Sequence, residues 1–378
     1  MSQTKAQLVS GTTAQDLTVD NINTTSINSG QTSGTKNLII NGAMQVAQRG
    51  TSFADPATGS YTVDRFSMRN NSGTPAFTFS QDSDAPHGFN NSLKVACTTA
   101  DASPASGSIS RITYKIEAQD LQPLAKGTSS AKASTLSFYV KTNKTGLYTV
   151  FVYDDDNNRM FSTSYTVSDT NWNRYTINIP ADTTGAINDD NGTGFVINWG
   201  LSLGSNRTSG SLASTWATYA TANEHVGNVN FADNTSNVWA ITGVQLEVGS
   251  VATDFEHRSF AQELALCQRY FHKIESGSTD VYLNTLQAYG SGAVFGVYYH
   301  FPVTMRATPT TTVTGTITPT NSAGNFAGNL SSFTFDRNTP DLCASNNTSG
   351  GSGLSGGDAT LIALRANTSA SISSSAEL

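Results

Sequence analysis

The sequence predicts a mostly β protein, with an antiparallel β-sandwich or jelly roll, a short linking helix and a smaller C-terminal β domain. Composition is the first observation behind this. Of 378 residues only 13% are charged and 37% hydrophobic, whereas ordinary soluble chains carry roughly 25% charged residues. Thr, Ser, Asn and 32 Gly fill the difference, and these suit half-buried pleats and tight turns better than helices. The second observation is a series of short apolar runs alternating with period two, separated by Asn-, Asp-, Gly- and Ser-rich loops. The third is that a helical period occurs once, between two such regions.

Residues 1–36 hold few large apolar side chains beyond Leu8, Leu17, Val19, Ile22 and Ile27. They cannot close a core, and the segment reads as an extended attachment arm that another chain would hold. The jelly roll is expected over 37–258. Leu38-Ile39-Ile40 reads as a buried strand ended by the turn dipeptide Asn41-Gly42. Leu136, Phe138 and Val140 share a face, as do Tyr148, Val150 and Val152, and then Tyr175, Ile177 and Ile179. A longer strand carries Val238, Ala240, Val244, Leu246 and Val248, with Gly243 as a bulge. Over 259–273, Phe260, Leu264, Cys267 and Phe271 form one helical stripe, opened by a capping box of Ser259 and Gln262. That stripe either covers its own domain or meets copies of itself at a trimer axis. Residues 274–378 return to β structure. Phe295, Val297, Tyr299, Phe301 and Val303 alternate with Gly296, Tyr298, His300 and Pro302, Gly350 to Gly357 form a loop, and Ile362 and Leu364 mark a late strand. A core this thin would gain stability by oligomerising.

Several functions are disfavoured. A net charge of -7 with 21 Lys and Arg offers no basic stripe for nucleic acid, and no run approaches the ~18 apolar residues of a membrane span. The opening Met1-Ser2-Gln3-Thr4-Lys5 lacks the apolar segment of a signal peptide, so synthesis in a cytoplasm is expected. Cys97, Cys267 and Cys343 are too scattered for a disulfide framework or zinc site. The Gly351 to Gly356 run has the letters of a dinucleotide loop without the flanking strand and helix. The acidic turns containing Asp154 and Asp156, and Asp189, could hold structural calcium, although solvated turns explain them as well. No other cofactor is expected. Among carboxylates, Glu247 and Glu256 stand out, with Glu247 expected to face solvent or a neighbour. The five histidines show no HExxH pattern, and no nucleophile elbow occurs, so no catalytic residue is assigned and an enzyme is not expected. Trp199, Trp216, Tyr298 and Tyr299 are the candidate glycan-binding platforms, because sugar recognition uses aromatic faces beside Asn and Asp side chains. Large aromatics equally fill cores.

Several motifs together carry a family resemblance. Asn37-Leu38-Ile39-Ile40-Asn41-Gly42-Ala43-Met44, Gln48-Arg49-Gly50-Thr51 and Tyr61-Thr62-Val63-Asp64-Arg65-Phe66 resemble a module of tail fibre and appendage proteins of tailed bacteriophages. So do Gly243 to Gly249, Ala252 to Arg258, Glu263 to Phe271, Phe301 to Pro309 and Ala376-Glu377-Leu378. The match has a cyanophage or marine-phage character, and its first and last sandwich strands look like those of jelly-roll carbohydrate-binding modules. The resemblance implies a virion protein of tail or capsid, a homotrimer, docked on other virion proteins through residues 1–36. It carries no catalytic residues over. With no long shaft, a short fibre or knob is expected, non-enzymatic and adhering to a host surface glycan or protein. A structural adaptor or decoration protein is the alternative, and a glycan depolymerase a third reading.

Overall fold

A computed structural model of the chain describes residues 36–378 apart from 72, 74, 291, 292, 295, 322, 331, 346, 347, 350, 351 and 367–369. Residues 1–35 of the segment expected to be an attachment arm, Phe295 and part of the expected Gly350–Gly357 loop therefore lie outside the described residues. The chain divides into two units, Met1–Lys36 and Asn37–Leu378, and every described strand belongs to the second.

Two six-stranded antiparallel sheets form the sandwich. The first runs, in spatial order, β1 (Ser52–Ala54), β3 (Ala76–Asp82), β4 (Ser92–Thr99), β12 (Val238–Val248), β6 (Ser134–Thr142) and β9 (Asn173–Ile179). The second runs β11 (Ala217–Thr218), β8 (Arg159–Val167), β7 (Gly146–Asp154), β10 (Thr193–Leu203), β5 (Ile109–Glu117) and β2 (Phe66–Asn70). Neighbours in the sheets come from distant parts of the chain, which is the jelly-roll pattern of connections. The alternation read in β6 and β7 holds: Leu136, Phe138, Val140, Tyr148, Val150 and Val152 are all fully buried in one core. β10 adds Phe195, Ile197, Trp199 and Leu201, and β5 adds Ile112, Tyr114 and Ile116.

In β12 the expected face is corrected. Gly243 does sit at a register break, with φ +62, but the extra residue flips the side-chain parity. Trp239 and Ile241 face the core before it and Val244 and Leu246 after it, so Val238 and Ala240 are not on the core-cluster side. Leu38-Ile39-Ile40 is corrected too, because it forms no ladder strand. β12 is paired with β4 only over Val238–Ile241, and beyond that the segment docks on it with single bonds. Leu38 N donates to Leu246 O (2.9 Å), Val244 N donates to Gly42 O (2.9 Å), and Asn37 Oδ1 accepts from Leu246 N (3.0 Å). Gly42 permits this approach, since a Cβ there would lie 2.0 Å from Val244 O.

The terminal module has β13 (Phe271–Glu275), β23 (Ser371–Ser375) and β17 (Thr310–Thr314) in one sheet. A second sheet orders β18 (Ile317–Pro319), β22 (Ala359–Leu364), β14 (Val281–Gly290), β15 (Ala293–Val294), β21 (Thr348–Ser349) and β19 (Ser332–Phe333), and β16 (Tyr298–His300) pairs with β20 (Leu342–Ala344). Val297, Tyr299, Phe301, Ile362 and Leu364 share its small core.

The linking helix α1 spans Phe260–Gln268, with the capping box of Ser259 and Gln262 in place. It is shorter than the expected 259–273, because Tyr270 N bonds back to Cys267 O and Phe271 already starts β13. The oligomer reading of its stripe is corrected for three of the four residues. Cys267 is fully buried with Ile40, Val46 and Tyr270, and Leu264 packs on that cluster. Phe271 lies under the Arg49 guanidinium, 3.6 Å from its ring centroid. Only Phe260 of the four is exposed, at 57%. One-sided helices normally cover a core, and this one covers its own chain.

The motifs that carry the family resemblance meet at the junction of sandwich and terminal module. Glu377 takes Arg65 and Arg49 (3.0 Å) as partners, and the Arg65 guanidinium lies 3.4 Å from the Tyr270 ring centroid. Gln48 Nε2 donates to Phe271 O (2.8 Å), Glu117 receives Arg269 Nε and Nη2 (2.9 Å each), and Asn41 N donates to Glu263 Oε1 (2.5 Å). Arg306 donates to Ala376 O (2.7 Å), Glu377 O (2.9 Å) and Asn191 O (2.8 Å). These residues fasten the two modules together.

Candidate functional site

The core-facing positions of the second sheet leave the intervening residues on its outer face, where a groove of about 520 Å³ opens. Its floor is a row across four strands. Ser67 of β2 is opposite Thr113 of β5, Thr113 is opposite Asn198 of β10, and Asn198 is opposite Phe151 of β7. Thr113 Oγ1 donates to Asn198 Oδ1 (2.9 Å), which locks the amide orientation. One row along, Lys115, Val196 and Tyr153 are aligned; on the other side Arg69 faces Arg111, and Arg111 faces Gly200.

Gly200 determines how that end closes. A Cβ there would lie 2.7–2.9 Å from Asn228 Oδ1, His225 Nδ1 and Thr149 Oγ1, so its absence admits the 204–229 loop onto the sheet. The loop brings Tyr219, whose ring stacks edge-on to Tyr153 (5.2 Å) and lies 6.1 Å from Phe151. It also brings Glu224, fully buried, whose carboxylate accepts from Arg111 (2.9 Å), Arg207 (2.6 Å) and the Tyr219 hydroxyl (2.6 Å). Burial pushes the Arg111 guanidinium down to a pKa of about 10, only partly offset by Glu224, with Arg69 and Arg207 adding repulsion. At the opposite end the Leu378 main-chain oxygen accepts from Lys115 Nζ (2.6 Å) and Tyr61 Oη (3.1 Å). Asp155 stands at the rim, its carboxyl raised by burial against the pull of Lys115. Phe151, Thr113 and Asn198 are buried in the floor, so what the groove presents is the half-buried Tyr153 and Tyr219 rings beside lysine and guanidinium donors. Such a surface can stack on and hydrogen-bond to a polyhydroxylated ligand.

The four aromatic positions singled out from the sequence are not brought together. Trp199 is fully buried between Phe66 and Phe138, and Tyr299 lies in the terminal core, its hydroxyl paired with Ser374 (2.8 Å). Neither can serve as a binding platform; large aromatics won their usual place in cores. Trp216 is half-buried on Phe195, its indole N–H taken by Pro180 O (2.8 Å), while Tyr298 is 45% exposed in the terminal module. The groove residues Phe151, Tyr153 and Asn198 were nevertheless signalled. Once Tyr148, Val150 and Val152 face inward, Phe151 and Tyr153 must face outward on the same strand.

One of the acidic turns closes around a side-chain ammonium. Asp154 is fully buried against Lys126 Nζ (2.6 Å), which also reaches Asp182 (3.1 Å), so an ammonium stands where calcium was considered. Asp156 accepts from the Asn188 side chain (2.6 Å), linking the two turns, and Asp189 is exposed. Among the described residues no group of three or more His, Cys, Asp or Glu side chains could hold a metal ion. Glu247 is also corrected: it is buried, accepting from Gln245 (2.9 Å) and from Thr253 N (2.9 Å) and Oγ1 (2.7 Å). The three described cysteines are buried and free, and no described helix is long and apolar enough to cross a membrane.

No protein-family model and no curated protein matches the chain. Similar solved structures include the enzymatically active domain of tailspike protein 4 of bacteriophage CBA120, at 15% identity and a TM-score of 0.31. The match covers 56% of this chain and only 21% of that one. The CBM22-1 xylan-binding domain from Paenibacillus barcinonensis matches at 10% identity and a TM-score of 0.27, over 53% of this chain and 94% of that one. A family 11 carbohydrate-binding module from Clostridium thermocellum, solved with a β-1,3-1,4-mixed-linked tetrasaccharide, matches at 11% identity and 0.27, over 55% and 98%. The jelly-roll assignment rests on the chain's own strand order and register.

Proposed function

We propose that this chain is a non-enzymatic adhesion protein that binds a surface glycan in the groove on the outer face of β2, β5, β10 and β7. The observation that carries this is the groove itself, where Tyr153 of β7 and Arg69 of β2 stand beside the loop-borne Tyr219 over a buried floor of Phe151, Thr113 and Asn198. Strand-borne side chains hold their geometry better than loop-borne ones. The non-enzymatic reading is supported by Glu224, whose oxygens are already engaged by two guanidiniums and a phenol, an arrangement suited to positioning rather than proton transfer. In this proposal the chain is a short phage tail fibre or appendage of the virion. Residues 1–36 anchor it to other virion proteins, and it assembles as a homotrimer. The sequence resemblance supports that part.

The test is affinity electrophoresis and calorimetric titration of the full chain against soluble polysaccharides, namely mixed-linkage β-glucan, xylan, alginate and polygalacturonate. Tyr153→Ala should weaken binding by about tenfold, since an aromatic contact contributes roughly 0.5–1.5 kcal/mol beyond its area. Tyr298→Ala, in the terminal module, should leave it unchanged. The reverse pattern would move the site to the terminal module, and no binding to any of them would count against adhesion to glycans.

A further inference from the structure

Resting on the glycan reading, we infer that the groove is built for an anionic saccharide, one whose carboxylate or sulfate oxygens are received by Arg69, Arg111, Arg207 and Lys115. All four line the groove, against two acidic side chains, Glu224 and Asp155. Arg69 and Arg111 are direct cross-strand partners on one face, a placement of like charges that destabilises a sheet unless something offsets it. Glu224 is the offset for Arg111, but it is shared with Arg207. One carboxylate therefore serves two guanidiniums, and the Arg69 side chain has no ion pair or hydrogen bond among the described residues. The Nε atoms of Arg111, itself 5% exposed, and of Arg207 are buried without an acceptor. Lys115 donates to a main-chain oxygen of Leu378 rather than to an acidic side chain.

This surplus runs against the sign of the whole molecule, which carries -7. An acidic chain repels a polyanion over most of its surface, so a basic groove with low-dielectric aromatic walls focuses such a ligand onto one face. Guanidinium forks match planar carboxylates and sulfates in two-point contacts. Local cost of this kind, left uncompensated within the fold, is typical of a site that its ligand completes.

The experiment compares alginate and polygalacturonate with xylan and mixed-linkage β-glucan, using the full chain and Arg69→Gln. Arg69 is exposed, so the variant should fold, and its circular dichroism spectrum and melting temperature verify that. The acidic polymers should bind at least about tenfold more tightly, Arg69→Gln should lose about tenfold toward them alone, and their binding should fall with added salt. Equal binding of neutral and acidic polymers, or acidic binding indifferent to salt and to Arg69→Gln, overturns the inference while leaving glycan binding standing. Binding to none overturns both.

Discussion

Glu377→Gln should loosen the terminal module from the sandwich, and the structure indicates by how much. The Arg65 side chain is 1% exposed and that of Glu377 7%, so neither charge has water as an alternative partner. Breaking a buried ion pair from one side costs about 3–5 kcal/mol. Two features soften the loss here. A glutamine oxygen still accepts a neutral hydrogen bond, worth about 1 kcal/mol, and Arg65 keeps Lys115 O (2.8 Å) and the Tyr270 ring. Against that, Arg49 loses the nearer of its two charged partners in the same step and keeps only Asp64 at 3.6 Å, which leaves an expected cost of about 3 kcal/mol. All four tryptophans precede residue 258, so their fluorescence reports the sandwich while far-ultraviolet circular dichroism reports both modules. In the unmodified chain the two urea transitions should coincide. In Glu377→Gln a fraction of the dichroism should be lost first, before any change in tryptophan emission. Arg65→Met combined with Glu377→Gln should recover about 1 kcal/mol or more relative to the sum of the single changes, because the uncompensated charge is gone. Coincident, unshifted transitions in Glu377→Gln, or additivity within about 0.5 kcal/mol, would refute the coupled latch.

Acid should weaken the fold before its carboxylates titrate. His225 is fully buried with Nδ1 2.7 Å from Thr149 Oγ1. Burial, then Arg111 and Arg207, hold its pKa well below the histidine range. The native ring stays neutral while the unfolded one protonates, so stability is complete above about pH 6.5 and declines below it by up to ~1.4 kcal/mol per pH unit. Melting temperatures between about pH 7.5 and 5.5 measure this, and His225→Gln should flatten the profile. His272, lowered by burial, contributes with the same sign, and His272→Gln separates its share. A flat profile in the unmodified chain would count against both. Gly243→Ala should cost about 1–3 kcal/mol, because φ is +62 and the new Cβ would lie 2.7 Å from Phe89 Cζ and 2.9 Å from Tyr139 Cδ2. Gly59→Ala shares the positive φ with nothing within 4 Å, so the difference between the two thermal melts isolates the steric part.

Much of the sandwich was legible because strand periodicity is a local property. The alternation in β6 and β7, the bulge at Gly243 and the capping box before α1 each depend on residues within a few positions of one another. The errors arose where a local pattern meets a distant one. The parity of β12 could be read only by counting the bulge as an inserted residue. The segment 37–40 has a strand's composition, but it docks against a stretch of β12 that β4 leaves unpaired. The stripe of α1 suited a trimer axis as well as its own core, until Tyr270, drawn under Arg65, ended the helix and turned Cys267 inward.

By itself, the sequence determined the β class and the inward and outward positions of most strands, since these follow from composition and short-range spacing. Tertiary structure alone decided which outward positions form a site. The row from Ser67 through Thr113 and Asn198 to Phe151 joins four strands that are far apart in the chain, and only sheet order and register bring them together. The opposition of Arg69 to Arg111 and the convergence of Arg65, Tyr270 and Glu377 have the same origin. Charges and rings hundreds of residues apart become neighbours through long-range pairing, whose register no local pattern encodes.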